Sequence, residues 1–262
     1  MNLRFALITD LHFGPQARFE GKLRKLSGQA ATLTRAFVKR MNEEVRPELV
    51  FNLGDDIEDE SPEDDRERYA ECLTILRELR AEVRHVAGNH DVVHLTREEL
   101  LEAWGRPEQK RLFTSFDQGG VHFTVLNTRE RKDLDVSVGE EQLAWLERDL
   151  ASTELPTIVV MHHSAAEQDL EGNRWFEGSP HICLVRERAA IRETLAKQGR
   201  VLAVFNGHLH WNHLDVIDGI PYVTLQSLIE NLDDDAPGRP AAAHAVVRVS
   251  DERLIVEVCG EE

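Results

Sequence analysis

Short apolar runs alternate with longer amphipathic stretches along the first third of the chain. Each short run is bounded by polar residues or glycine, which is typical of a buried strand. The second amphipathic stretch follows Ser61, which can serve as an N-cap and is followed by acidic residues. In chain order, the pattern predicts a strand at 4–9, a helix at about 27–44, a strand at 49–53, a helix from 61 to about 81 and a strand at 83–87. This alternation indicates a sheet with helices on its faces.

The alternation continues with predicted strands at 121–126, 157–161 and 201–205 and predicted helices at about 140–151 and 186–197. The end of the chain changes character, since strands are joined there by turns such as Asp218-Gly219. These last strands are predicted at 214–217, 222–225, 243–249 and 254–258. We expect them to form a second, largely antiparallel sheet packed on the first. No linker, repeat or low-complexity tract is visible, so we expect one domain spanning residues 1–262.

Two predicted loops, at 13–28 and 164–180, are longer than a connection alone requires. Connections between elements have a median of about 4–6 residues, and much longer ones tend to be functional or disordered. A third irregular stretch, at 231–240, is rich in Asp, Pro and Gly. We therefore expect some of these loops to line a functional site.

Charge and cysteine content narrow the possible partners. The 262 residues carry 48 acidic and 31 basic side chains, giving a net charge of -17. This balance argues against binding to nucleic acid or to an anionic membrane. The three cysteines show no paired spacing, and no apolar run approaches the roughly 20 residues of a membrane span. We expect a cytoplasmic protein with free thiols and no secretory signal, while the oligomeric state stays open, with a homodimer among the options.

Residues that can bind a metal follow five of the predicted strands. They occur as Asp10-Leu11-His12, Gly54-Asp55-Asp56, Gly88-Asn89-His90-Asp91, His162-His163 and Gly207-His208-Leu209-His210. In open α/β sheets, ligands bind beyond the carboxyl ends of the strands. The sequence therefore predicts that the five clusters converge on one edge of the sheet.

The spacing and the residue types favour a pair of metal ions. In Asp10-x-His12 and His208-x-His210, alternate residues of an extended segment would point to the same side. Histidine nitrogen mixed with Asp and Asn oxygen suits Mn, Fe, Zn or Co. A lone Asp-x-His or Gly-Asp is also common in surface turns, so the hypothesis depends on all five clusters occurring at strand ends. Seven candidate ligands would fit two ions sharing a carboxylate better than a single tetrahedral ion.

In this order, the five clusters resemble the D-x-H, G-D, G-N-H-D/E, H and G-H-x-H pattern of the calcineurin-like metallophosphoesterase superfamily. The resemblance implies a four-layer α/β/β/α sandwich of two mixed sheets flanked by helices, the metallo-dependent phosphatase fold. It also implies two ligand sets that share Asp55 as a bridging residue. One set would be Asp10, His12, Asp55 and His210, and the other would be Asp55, Asn89, His162 and His208.

The second motif indicates which branch of the superfamily the chain resembles. Phosphoprotein phosphatases extend it as G-D-x-V-D-R-G, whereas this chain has Glu58-Asp59-Glu60 after Gly54-Asp55-Asp56-Ile57 and lacks the arginine. The chain looks more like the class III cyclic-nucleotide and glycerophosphodiester phosphodiesterases. We expect a small phosphate-ester substrate, with a phosphomonoesterase or nucleotide pyrophosphatase as the alternative. A nuclease or a non-catalytic metal-bearing scaffold is disfavoured by the acidic charge and the complete ligand set, respectively.

The expected chemistry is attack by a hydroxide held between two divalent ions, which lower the pKa of bound water. His90 is the candidate general acid for the leaving alkoxide, and either Glu58 or Asp91 would orient it. Other residues are candidates for a contact with the site or with the substrate: His163, which is also the fallback for His162, and His94, Asn173, Arg174, Trp211 and His213. Four further histidines are predicted to be structural or solvent-facing: His85, His122, His181 and His244.

Overall fold

The computed structural model describes residues 2–132 and 134–261, and within them the chain forms thirteen strands and five α-helices. The strands are β1 (Asn2–Ile8), β2 (Leu49–Asn52), β3 (Glu82–His85), β4 (Thr114–Gln118), β5 (Val121–Val125), β6 (Arg129–Arg131), β7 (Asp135–Ser137), β8 (Thr157–Val160), β9 (Val201–Asn206), β10 (His213–Ile217), β11 (Ile220–Thr224), β12 (His244–Ser250) and β13 (Leu254–Cys259). The helices are α1 (Ala30–Arg40), α2 (Pro62–Leu76), α3 (Arg97–Ala103), α4 (Gly139–Ala151) and α5 (Arg188–Gln198).

The strands form two large sheets. The first has the spatial order β13-β12-β1-β2-β3, and the second has the order β10-β11-β9-β8-β5-β4. β1, β2 and β3 are parallel to one another, as are β5, β8, β9 and β11 in the second sheet. The remaining neighbouring pairs are antiparallel, namely β1 with β12, β12 with β13, β10 with β11 and β4 with β5. Both sheets are therefore mixed, as the family resemblance implied.

The prediction of a separate C-terminal sheet is wrong. β10 and β11 extend the second sheet, whereas β12 pairs with β1 in the first. β12 can take this position because β1 is the first strand of the chain and has β2 on one side only, which leaves its other edge free to pair. The predicted strands near 121, 157 and 201 likewise belong to the second sheet and not to the first.

Alternation along the strands produces the layers. In β1, Phe5 and Leu7 face the second sheet, while Ala6 and Ile8 face the helices α1 and α2. Phe5 makes edge-on contacts with rings of both sheets, at centroid distances of 5.8 Å to Phe51 and 5.5 Å to Phe123. On the far side, α4 and α5 pack against the second sheet. The result is the four-layer α/β/β/α sandwich that the resemblance implied.

Element boundaries follow local chemistry. Ser61 caps α2 by accepting a hydrogen bond from the Asp64 amide at 3.2 Å, as predicted, but the helix ends at Leu76 and not near residue 81. The first helix is shorter than predicted, because α1 gives way to a π-helical turn that ends where Arg46 adopts a left-handed φ of 51°. The short helix α3 and the strand β4 were not predicted.

Two further sequence expectations concern the membrane and the cysteines. None of the helices in the described part of the chain is long and apolar enough to cross a membrane. All three cysteines are free thiols, as expected, and two of them, Cys72 and Cys183, are buried.

Candidate metal centre

The five clusters meet where the carboxyl edges of the two sheets lie together. Asp10, Asp55 and Asn89 follow β1, β2 and β3 of the first sheet. His162 and His208 follow β8 and β9 of the second. The five clusters converge, as predicted, but they meet between two sheets and not at one edge of a single sheet. The packing of the sandwich therefore assembles the two halves.

The spacing of the paired motifs predicted that an extended backbone brings their side chains together. The structure contradicts this prediction. Asp10, His12, His208 and His210 have φ values of 54°, 44°, 67° and 52°, in the left-handed region. Residues other than glycine rarely adopt this backbone conformation, and it is typical of strained functional sites. The chain turns sharply after each strand, and this turn brings the paired side chains together.

One group of candidate ligands combines Asp10, His12 and His210, whose ligand atoms lie within 4.8 Å of one another. The Nε2 atoms of the two histidines are 3.1 Å apart, and His210 Nε2 is 3.5 Å from Asp10 Oδ1. All three side chains are buried. Asp10 Oδ1 has no hydrogen-bond partner among the described residues, which is costly for a buried carboxylate oxygen unless a cation lies nearby.

A second group contains Asp55, Asn89 and His162. His162 Nε2 is 3.2 Å from Asp55 Oδ2 and 3.2 Å from Asn89 Oδ1. The same Asp55 oxygen is 4.0 Å from His12 Nε2, so it lies between the two groups. His208 Nε2 is buried without a hydrogen-bond partner in the described chain. This mixture of nitrogen and oxygen donors fits two divalent transition ions that share one carboxylate.

Charge is concentrated at this centre. Burial acts to raise the pKa of the Asp55 carboxyl, but the neighbouring His162 and His90 hold that pKa well below its usual range. Burial acts to lower the pKa of His162, but Asp55 raises it to about 9. In the metal-free chain, each group stabilises the charged form of the other.

Asp59, and neither Glu58 nor Asp91, orients His90. Nδ1 of His90 lies 2.5 Å from Asp59 Oδ1, and the His90 amide donates to Asp55 Oδ1 at 2.9 Å. Although burial lowers the pKa of His90, the charges of Asp55 and the bond to Asp59 raise it overall. Asp91 has a different role, because its carboxylate accepts hydrogen bonds from the backbone amides of Asp55, Asp56 and Gly88 and so fixes both loops.

Two acidic residues, Glu58 and Glu230, lie beside the Nδ1 atoms of two candidate ligands, His12 and His210. Glu58 Oε2 lies 3.0 Å from His12 Nδ1 and 2.5 Å from Lys25 Nζ. Glu230, which is fully buried, accepts a hydrogen bond from His210 Nδ1 at 2.8 Å. The sequence reasoning missed Glu230, although it is a single charged residue after the apolar pair Leu228-Ile229, which is an unusual place for an exposed side chain.

The long loop at 164–180 does contribute to the site, through Arg174 and Trp175. The Trp175 indole donates to Glu230 Oε1 at 3.1 Å, and its ring centroid lies 5.3 Å from that of His210. Arg174 Nη1 is 3.2 Å from Glu230 Oε1. Asn173 bonds to backbone groups, since its side-chain amide donates to the Leu209 carbonyl and accepts from two loop amides.

The other flagged histidines have separate partners. His163 Nδ1 is 2.7 Å from Thr128 Oγ1, and its buried Nε2 has no partner in the described chain, so it stays a candidate in place of His162. Most of the other histidines contact neighbouring protein groups through hydrogen bonds, ion pairs or ring stacking. Among the candidates for the site, His94 contacts Asp65, and His213 contacts Trp211 and Asp215. Among those predicted to be structural, His85 contacts Asn52 and Trp104, His122 contacts Asp117 and Asp149, and His244 contacts Phe37 and Ala242. Trp211 stacks on His213 and donates a hydrogen bond to Gln168 Oε1 at 3.1 Å. His181 is exposed.

Comparison with known proteins agrees with this geometry. The model of the family described as calcineurin-like phosphoesterase matches residues 3–212. A probable cyclic nucleotide phosphodiesterase of Synechococcus sp. is 28% identical over 219 residues, which cover 80% of this chain and 74% of that protein. A protein of the same description from Fibrobacter succinogenes is 22% identical over 209 residues, covering 79% and 73%.

Solved structures support the fold. The crystal structure of a dimetal phosphatase from Danio rerio superimposes with a TM-score of 0.77 and 19% identity, covering 98% of this chain and 96% of that chain. A purple acid phosphatase from yellow lupin superimposes with a TM-score of 0.67 and 12% identity, covering 99% and 52%. At these identities, the likeness establishes the shared architecture.

Proposed function

Because the chain belongs to the calcineurin-like phosphoesterase family and is a metal-dependent phosphoester hydrolase, we propose that it hydrolyses a small phosphodiester of the cyclic nucleotide or glycerophosphodiester type. The observation that carries this proposal is the position of Asp55 between two groups of candidate ligands, with His90 beside them. The two relatives described as probable cyclic nucleotide phosphodiesterases support the diester over the monoester.

In this proposal the seven candidate ligands form two sets. Asp10, His12, Asp55 and His210 would hold one divalent ion, and Asp55, Asn89, His162 and His208 would hold the other. Two such ions supply Lewis acidity toward the phosphoryl oxygens and lower the pKa of a water molecule at the site. The chain itself provides a buried, prearranged donor set that needs little reorganisation when substrate arrives.

His90 protonates the leaving alkoxide. A hydrogen bond from Nδ1–H to Asp59 fixes the tautomer and the ring orientation, and leaves Nε2 for the proton that is transferred. In the metal-free chain, the charge of Asp55 and the bond to Asp59 raise the pKa of His90 and so favour its protonated form. The His90 side chain is 26% exposed, whereas the candidate ligands His12 and His162 are buried, so His90 can meet a substrate from the open side.

A matched set of esters tests the proposal. With Mn²⁺, the protein is expected to hydrolyse bis(p-nitrophenyl) phosphate and 2′,3′-cyclic AMP with a higher kcat/KM than p-nitrophenyl phosphate. A higher kcat/KM for the monoester would contradict the phosphodiesterase assignment, and turnover of neither class would contradict the proposed function as a whole.

A further inference from the structure

A cleft of about 720 Å³ is linked to the metal centre through Thr128, one of the residues of its lining. Its walls come from the segment after His90, from the segment before β4, from the residues that follow β5 and from the start of α4. Thr128, in this lining, is the residue that contacts His163, and the His163 ring centroid is 4.0 Å from that of His208. The volume lies in the range of about 300–1,000 Å³ that is typical of small-molecule sites.

The charge of this cleft is opposite to that of the protein. In a chain with a net charge of -17, the lining holds four cationic and two acidic side chains, namely Arg97, Lys110, Arg111, Arg129, Glu140 and Glu141. Arg111 pairs with Glu141 at 2.5 Å, and Arg97 pairs with Glu98 outside the lining. Lys110 and Arg129 are exposed and form no ion pair with any residue in the described ranges. We call this lining the cationic cleft.

Among the described residues, two unpaired cations face one unpaired acid of the lining, Glu140, so the concave surface keeps a net positive charge. Such a surface attracts an anion, because its low-dielectric walls concentrate the field. Arginine and lysine are also the usual side-chain partners of phosphate. A cyclic mononucleotide or a glycerophosphodiester has a single phosphate, and the metal centre takes that group. These simple substrates therefore have no second phosphate that the cations of the cleft could bind.

We infer that the cationic cleft binds a second phosphate group of the substrate, so the preferred diester carries a phosphate beyond the one that is hydrolysed. This inference rests on the proposed function and narrows its substrate class. A nucleic-acid strand does not fit the same observations, since the surrounding surface of an acidic protein would repel its further phosphates.

The test uses two substrates that share the scissile group. 2′,3′-cyclic AMP and its 5′-phosphorylated form differ by one phosphate only. The wild type is expected to show at least a tenfold higher kcat/KM for the 5′-phosphorylated substrate. The double variant Lys110→Ala/Arg129→Ala is expected to reduce this preference at least tenfold, through the KM of the 5′-phosphorylated substrate. Arg35→Ala/Lys39→Ala, which removes two exposed cations from α1, changes the net charge equally and is expected to leave the preference intact.

The outcomes separate the two proposals. If bis(p-nitrophenyl) phosphate is hydrolysed but the wild type shows no preference for the 5′-phosphorylated substrate, the inference about the cationic cleft is overturned alone. The same holds if the two double variants reduce the preference equally, because the effect would then be long-range charge. If no diester is hydrolysed, the proposed function fails and the cleft loses its role as a substrate site.

Discussion

The Nδ1–H of His210 donates a hydrogen bond to Glu230 Oε2 at 2.8 Å, and both side chains are buried. The bond fixes the imidazole so that Nε2 lies toward Asp10 and His12. Arg174 and Trp175 hold the other side of the Glu230 carboxylate, which offsets the cost of burying its charge. A carboxylate in this position orients a metal-binding histidine and increases its basicity.

Glu230→Gln is therefore expected to weaken one of two metal-binding steps. Glutamine keeps the shape of the side chain but removes its charge, and changes of this kind cost about 10–100-fold in metal affinity. Calorimetric titration of chelator-stripped protein with Mn²⁺ measures both steps. Glu171→Gln, at an exposed position of the loop that carries Arg174 and Trp175, is the control and should bind as the wild type does. Equal weakening of both steps, or of neither, would contradict a role at His210.

Asp55→Ala is expected to lose more bound metal than His12→Ala. Asp55 Oδ2 is near nitrogen atoms of both ligand groups, at 3.2 Å from His162 and 4.0 Å from His12, whereas His12 belongs to one group only. Metal analysis after purification without chelator checks this difference. Similar and small losses from the two substitutions would count against a bridging carboxylate.

His90→Ala is expected to keep both metals and to slow diester hydrolysis by about 10²–10⁴-fold, the usual contribution of a positioned acid. The defect should be smaller for a nitrophenyl ester than for an alkyl ester, because nitrophenolate leaves without much protonation. Asp59→Asn should show the same dependence on the leaving group with a smaller defect, since it removes the orienting carboxylate and leaves the imidazole. Equal defects for the two esters would show that His90 does not protonate the leaving group.

Much of this site could be predicted from sequence because the metal-binding residues sit in short local motifs at strand ends, such as Gly207-His208-Leu209-His210. Local turns fix those positions, and the glycines permit them. A Cβ at Gly207 would overlap Thr9 and Asp10, and one at Gly88 would overlap Asp55. The motifs therefore identify the residues of the site, whereas their left-handed backbone and their close approach to one another come from the folded structure.

The partners of these residues could not be predicted in the same way. Asp59 and Glu58 are neighbours in an acidic run, and the turn after β2 decides that Asp59 reaches His90 while Glu58 reaches His12. Glu230 meets His210 through packing of segments that no spacing rule connects. The apolar pattern also could not predict that the last strands divide between two sheets. Strand pairing depends on contacts between residues distant in sequence, and the pattern of apolar positions carries no information about them.

Acid should destabilise the fold in part through His85. Burial is the main reason that the pKa of His85 falls to about 3, from an ordinary value of 6.5. The unfolded chain then binds more protons than the folded one between these values, so stability is present above pH 6.5 and is lost as pH falls toward 3. His85→Gln should reduce that pH dependence by at most about 1.4 kcal/mol per pH unit.

Urea denaturation of the metal-free protein at pH 7 and pH 5 measures the effect on the free energy of unfolding. His181→Gln changes an exposed histidine and is the control. If His85→Gln and the wild type lose the same stability between the two pH values, His85 is not responsible for the acid sensitivity.

Titration of chelator-stripped protein with Mn²⁺, while hydrolysis of bis(p-nitrophenyl) phosphate is followed, tests the two-metal phosphodiesterase most directly. The arrangement of Asp10, His12 and His210 on one side of Asp55 and of Asn89 and His162 on the other predicts negligible activity without metal. It predicts that the rate rises to its plateau only as the second equivalent of Mn²⁺ binds. Full activity in the metal-free protein, or a plateau reached at one equivalent, would contradict it.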